Sequence, residues 1–171
     1  LKQAVQYAWS RDITIVCAAG NEFEDGNQPA YPASYDKYCI AVGATRFDKT
    51  RAYYSNTGSY IDVVAPGGDN NVDQNKDNNP DGILQQTFNS NPSVFDYWYY
   101  SGTSSAAPHV SGAAALLISK GVKNPDKIRL AIEQTVIDLG PQGWDKEYGW
   151  GLLDVLNALK YKITGDLTGE L

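Results

Sequence analysis

Residues 101–112 read Ser-Gly-Thr-Ser-Ser-Ala-Ala-Pro-His-Val-Ser-Gly. An aromatic run, Phe95–Tyr100, precedes them, and an Ala/Leu-rich run, Gly112–Ser119, follows. The first has the make-up of a strand. The second reads as a helix too apolar all round to face water. A strand ending near Tyr100 and a helix running from about Ser104 place Ser104 at a strand-to-helix turn. Gly102 allows the backbone to turn sharply there. Free amides and the helix dipole favour negative charge at such an end, so the Ser104 amide stands where it can help hold an oxyanion. Pro108 is expected near the first turn, where a missing N–H costs little. A lone serine at a helix start is ordinarily a cap. What sets Ser104 apart is the pattern G-T-S-x-A-A-P-H-V-x-G around it.

Outward from this stretch, short apolar runs alternate with amphipathic ones. Leu1, Ala4, Val5, Ala8 and Trp9 form one helical stripe. Ile13–Ala19 and Cys39–Val42 are continuous apolar runs closed by glycines, as in parallel strands buried on both faces, and a third run, Tyr60–Ala65, ends at Pro66-Gly67-Gly68. Asn124-Pro125-Asp126 opens a helix with a cap, a proline and an acid, Ile128, Ala131, Ile132 and Thr135 line its face, and Gly140-Pro141 is expected to end it. Leu152, Val155, Leu156 and Leu159 mark a last helix. The expected fold is α/β, a mainly parallel sheet flanked by helices, with its site beyond the carboxyl ends of the strands. Residues 1–160 form the domain and 161–171 a polar tail or linker.

The 171 residues carry a net charge of −6 without a Lys/Arg cluster, which argues against a nucleic-acid surface. No apolar run approaches a bilayer span and no segment reads as a signal peptide, so no membrane partner is expected. Cys17 and Cys39 sit in apolar runs and read as two buried thiols, with a disulfide as the alternative if their strands are neighbours.

The motif around Ser104 resembles the serine signature of the subtilisin-like serine proteases, the subtilases, with Ser104 on the nucleophile. Ser105 stands where the best-known members carry Met. Val16-Cys17-Ala18-Ala19-Gly20-Asn21-Glu22 is similar to the family's strand leading to its oxyanion-hole asparagine, which would be Asn21. Tyr31-Pro32-Ala33, Ile40-Ala41-Val42-Gly43-Ala44, Ala65-Pro66-Gly67 and Tyr148-Gly149-x-Gly151-x-x-Asp154 follow in family order. The resemblance implies a polypeptide substrate and a secreted or extracellular protein. Its substrate-binding residues would be Ala19, Gly20, Ala30, Gly102 and Thr103.

A subtilase triad also needs an Asp and a His, which the family places earlier in the chain. The one histidine, His109, lies five residues after Ser104, about 140° around a helix and away from the hydroxyl. It is expected to support the fold. Together with the uncapped, Met-free start, this leads to the expectation of an incomplete, subtilisin-like catalytic domain. The chain would be its C-terminal half, its partner the missing N-terminal half, and the chain alone inactive. Alternatives are a non-catalytic subtilase-like module that binds peptides or partners, and a calcium-dependent adhesion or structural domain.

The second alternative rests on Asp73-x-Asn75-x-Asp77-x-Asn79-x-Asp81, which alternates oxygen-bearing side chains as a structural Ca²⁺ loop does. Candidate ligands are Asp73, Asn75, Asp77 and Asp81. Asn78 stands where such a loop wants Gly, and Leu84 where it wants a bidentate Glu. A solvated polar loop is the equal reading.

Overall fold

A computed structural model describes residues 1–88 and 90–162. Helix α1 (Lys2–Trp9) leads to strand β1 (Val16–Ala18), then come β2 (Ile40–Thr45) and β3 (Val63–Pro66). A hairpin of β4 (Ile83–Thr87) and β5 (Asp96–Tyr100) precedes α2 (Thr103–Ser119), α3 (Pro125–Glu133) and α4 (Val155–Lys160). Of the expected tail, only Tyr161 and Lys162 lie among the described residues.

β1, β2 and β3 form a parallel sheet in that order, with Val16 opposite Ile40 and Val42 opposite Val63. All six residues of β2 are buried, which is why its sequence is continuously apolar rather than alternating. Ile40, Val42 and Ala44 meet Ala106, Val110, Ala114 and Leu117 of α2 and Ile128 and Ile132 of α3. Ala41 faces the other way, into a cluster with Val5, Cys17, Tyr60 and Ile61. Each fully buried isoleucine contributes about 1.5–3 kcal/mol, so this packing fixes α2 rigidly across the sheet.

Cys17 and Cys39 are both buried free thiols, and Cys39 Sγ donates to the Pro32 carbonyl at 3.4 Å. Cys17 pairs with Ala41, so Cys39 is offset by two residues on the same face. At strand spacings of ~4.8 Å and ~3.3 Å per residue, their Cα atoms stand about 8 Å apart, beyond disulfide reach.

Five expectations need correction. The strands are shorter than the apolar runs. β5 pairs antiparallel with β4, outside the parallel sheet, and β4 carries no clear strand signal in ILQQT. α3 stops at Glu133 rather than near Gly140, because Ile137 pairs its backbone with Leu152 in both directions. The same pairing keeps Leu152 out of α4 and sets residues 151–153 along β3. Finally, Pro108 is the sixth residue of α2, so its missing N–H leaves the Ser104 carbonyl without its usual helical partner.

Candidate active site

Two chain segments meet beyond the carboxyl ends of the parallel strands. One follows β3: the Gly102 amide donates to the Gly67 carbonyl at 3.0 Å, which pins the turn before α2. The other follows β1 and carries Gly20 and Asn21. Ser104 is the second residue of α2 and is exposed, and Asn21 is exposed beside it.

Thr103 joins the segments. Its amide and hydroxyl donate to Asn21 Oδ1 at 2.8 and 2.9 Å, and its Oγ1 accepts from the Gly20 amide at 3.2 Å. The Asn21 carboxamide is therefore held by its oxygen, which leaves its NH₂ group to face outward. At the helix tip, Thr103 N is taken by Asn21, and the Ser105 and Ala106 amides bond to Gly102 O. Among the described residues, the Ser104 amide has no acceptor. A Cβ on Gly102 would lie 3.5 Å from Asn21 Nδ2 and 3.7 Å from Ser104 N, so both donors border one small space. Gly102 has φ +154°, a conformation suited to glycine. Two fixed amide donors beside an exposed hydroxyl can bind an oxyanion formed on a carbonyl that the hydroxyl attacks.

The model that describes the subtilase family matches residues 1–151. The chain belongs to the subtilase family. It is 40% identical over 162 residues to the thermophilic serine proteinase of Bacillus sp. (strain AK1), covering 94% of this chain and 34% of that protein. It is 38% identical to subtilisin DY of Bacillus licheniformis, covering 91% of this chain and 50% of the relative. Among solved structures, a protease from Pseudoalteromonas arctica PAMC 21717 aligns with TM-score 0.74 at 33% identity, covering 93% of this chain and 45% of that one. The crystal structure of a lanthipeptide protease aligns with TM-score 0.74 at 26% identity, covering 93% and 54%. This subtilase chain thus spans between a third and a half of the curated relatives it matches.

The other expected substrate-binding residues divide by burial. Ala19 and Thr103 are fully buried at 0% exposure, so they shape the site from behind. Gly102 is buried in the turn, and Gly20 and Ala30 are partly exposed. Three residues escaped the sequence reading. Asn56, fully buried, accepts from the Glu22 amide at 2.7 Å and donates to Glu22 Oε2 and Gln28 O, both at 3.1 Å. Glu22 in turn accepts from the Asn21 amide at 2.8 Å. Tyr60 donates to the Ala19 carbonyl at 3.0 Å. These bonds fix the loop that presents Asn21. Their only sequence signal is a Ser-Asn-Thr-Gly run, which reads equally well as a turn.

His109 bonds through Nδ1 to the Ser105 carbonyl at 3.0 Å, one turn back along α2. It is tied to its own helix and away from Ser104. Among the described residues nothing bonds the Ser104 hydroxyl.

The acidic loop folds on itself. Asp73 accepts from the amides of Asp77 and Asn78, Asn75 from Asp77, and Asp77 from Asn79. The Asn79 amide holds the Asp77 carboxyl below its usual range. Asp81 turns inward and accepts from the Gln74 amide. Asn75, Asp77 and Asp81 line a cavity of about 230 Å³ that Arg46 also lines. Among the described residues no three His, Cys, Asp or Glu side chains form a metal-binding group. Nor is any described helix long and apolar enough to cross a membrane.

Proposed function

We propose that this chain is the nucleophile-bearing part of a serine endopeptidase that cleaves polypeptides through an acyl-enzyme on Ser104. The observation that carries this is the unpaired Ser104 amide and the anchored Asn21 carboxamide bordering one space. In the reaction, Ser104 Oγ attacks the scissile carbonyl carbon as its proton passes to a base. The carbonyl oxygen becomes an oxyanion held by Ser104 N–H and Asn21 Nδ2–H. Collapse expels the amine, which takes a proton from the same base, and water then hydrolyses the ester.

His109 cannot serve as that base. We assign the base and its orienting carboxylate to a His and an Asp in an N-terminal half of the same catalytic domain. Three features support docking of that half. β1 is an edge strand of the parallel sheet. Leu116 and Ile118 of α2 are exposed. A groove of about 350 Å³ runs between the β1 segment and α2, lined by Ile13, Val16, Ala115 and Ile118. Without a base the serine stays protonated and unreactive.

The test is hydrolysis of a chromogenic peptide by this chain, with and without the N-terminal half. Strong turnover by the chain alone refutes the assignment of the base. The position of His109 also favours a second reading, a non-catalytic subtilase-like module that binds peptides or partners. Failure of a fluorophosphonate to label Ser104 in the joined domain favours that module.

A secreted or extracellular location belongs to the same proposal, supported by the family, and the acidic composition is compatible with it. We also propose a structural Ca²⁺ at the 73–81 loop, held by side-chain oxygens of Asn75, Asp77 and Asp81, with carbonyls and water completing the shell and Asp73 shaping the turn. Its support is the alternating oxygen spacing, and Arg46 in the same cavity weighs against it. Absence of heat on Ca²⁺ addition, and an unchanged isotherm for Asp77→Ala, would end this idea.

A further inference from the structure

The β4–β5 ribbon runs into the nucleophile's turn, because Tyr100 is followed by Ser101, Gly102, Thr103 and Ser104. Its base is fixed: Asn70 donates to the Tyr99 carbonyl at 2.9 Å, and Gly102 bonds Gly67. Its five paired positions carry it roughly 17 Å from that base, at ~3.4 Å per residue. This is about the span of five residues of an extended peptide.

Register decides what the ribbon shows. Leu84 pairs with Tyr99 and Gln86 with Tyr97, and Phe88 and Phe95 follow on that face by side-chain alternation, just beyond the last pair, Thr87 with Asp96. The two phenylalanine rings meet edge to face at 5.7 Å, which places them together. Leu84, Phe88, Phe95 and Tyr97 are 52%, 40%, 60% and 65% exposed. Among the described residues, none of the ribbon belongs to either core cluster. A two-stranded ribbon is marginal in water without something against its face, and a contiguous aromatic patch on a surface marks an interaction site. Rigid aromatic side chains also give large contact area at low entropic cost. Between Gly82 and Tyr100 the only charged residue is Asp96, and the 69–81 loop beside the ribbon's base is acidic. Apolar segments suit this surface, and acidic ones are repelled.

We propose that this aromatic face is a remote substrate-binding surface, holding an apolar stretch of polypeptide several residues from the bond cut at Ser104. The proposal rests on the protease reading above and adds to it a substrate class, polypeptides with an apolar, non-acidic segment beside the cleavage site.

The test uses the whole catalytic domain, this chain joined to its N-terminal half, and two kinds of substrate. One is a short chromogenic peptide anilide that cannot reach the ribbon. The other is a pair of long peptides with one cleavage site, bearing Leu and Phe or Ser and Gln four to six residues away on either side. The apolar long peptide is expected to show a KM about tenfold lower. Phe95→Ser with Tyr97→Ser is expected to abolish that difference while leaving kcat and the short substrate unchanged. Equal KM for the two long peptides with the unaltered domain overturns the proposal, and needs no variant to fold. Equal losses on short and long substrates also overturn it, since the ribbon would then only support the fold. No cleavage of the short peptide defeats the protease reading itself, a separate result.

Discussion

Asn21 Oδ1 accepts two hydrogen bonds from Thr103, from its amide at 2.8 Å and its hydroxyl at 2.9 Å. Residues 82 positions apart are thereby locked as one unit, and the donor side of the Asn21 carboxamide is oriented by what its acceptor side holds. Thr103→Val removes the hydroxyl and leaves the partly buried Gly20 amide without its acceptor. The expected stability loss is about 1–3 kcal/mol, with kcat lowered more than KM is raised. Thr103→Ser keeps the hydroxyl and is expected to restore kcat. Chemical denaturation and steady-state kinetics on the joined domain measure both.

Asn21→Ala removes one of the two oxyanion donors we propose. Removing this kind of donor from subtilisin lowers turnover by about 10²–10³, a known magnitude carried over from that relative. The same fall in kcat is expected here, with little change in KM. A KM effect alone would show that Asn21 binds substrate without stabilising the transition state.

Gly102→Ala puts a methyl group into the space between Asn21 Nδ2 and Ser104 N, at a residue with φ +154°. Backbone strain there costs about 1–3 kcal/mol. The expected result is a folded domain that melts lower and has lost most of its turnover. Full activity in this variant would mean that the oxyanion lies elsewhere.

Asp62 sets a pH dependence of stability. Its Oδ2 accepts from the Ala41 amide at 2.6 Å, and Arg129 Nε lies 3.8 Å from Oδ1. Burial outweighs both, and the carboxyl is pushed up to about 8 from an ordinary 3.8. Burial likewise raises Glu133 beside it. Between those pH values the folded state keeps a proton that the unfolded chain has lost. The stabilisation is therefore complete below about pH 4 and is lost as pH rises through 8, by at most about 1.4 kcal/mol per unit for one proton. Asp62→Asn is expected to flatten the slope of unfolding free energy against pH. An unaltered slope would assign it to other groups.

Some of this was legible in the residues and some was not. β2 could be placed because its apolar run has no polar alternation, the mark of a strand covered on both faces. Ser104 could be placed because a motif of fixed spacing surrounds it. β4 was hidden because Leu-Gln-Gln-Thr carries little strand preference, and its pairing comes from β5 across the hairpin. The end of α3 was hidden because Ile137 is drawn to Leu152, fifteen positions away. Asn56 was hidden because nothing local marks an asparagine as buried.

Sequence by itself determined the family and the α/β class and singled out Ser104 and Asn21, since periodicity and motif spacing are local properties. Only tertiary structure decided that Thr103 orients Asn21, that among the described residues the Ser104 amide is the one left free at the helix tip, and that Asn56 and Tyr60 hold the loop that presents Asn21. Those facts depend on which hydrogen-bonding groups find partners across long stretches of chain, and folding alone settles that contest.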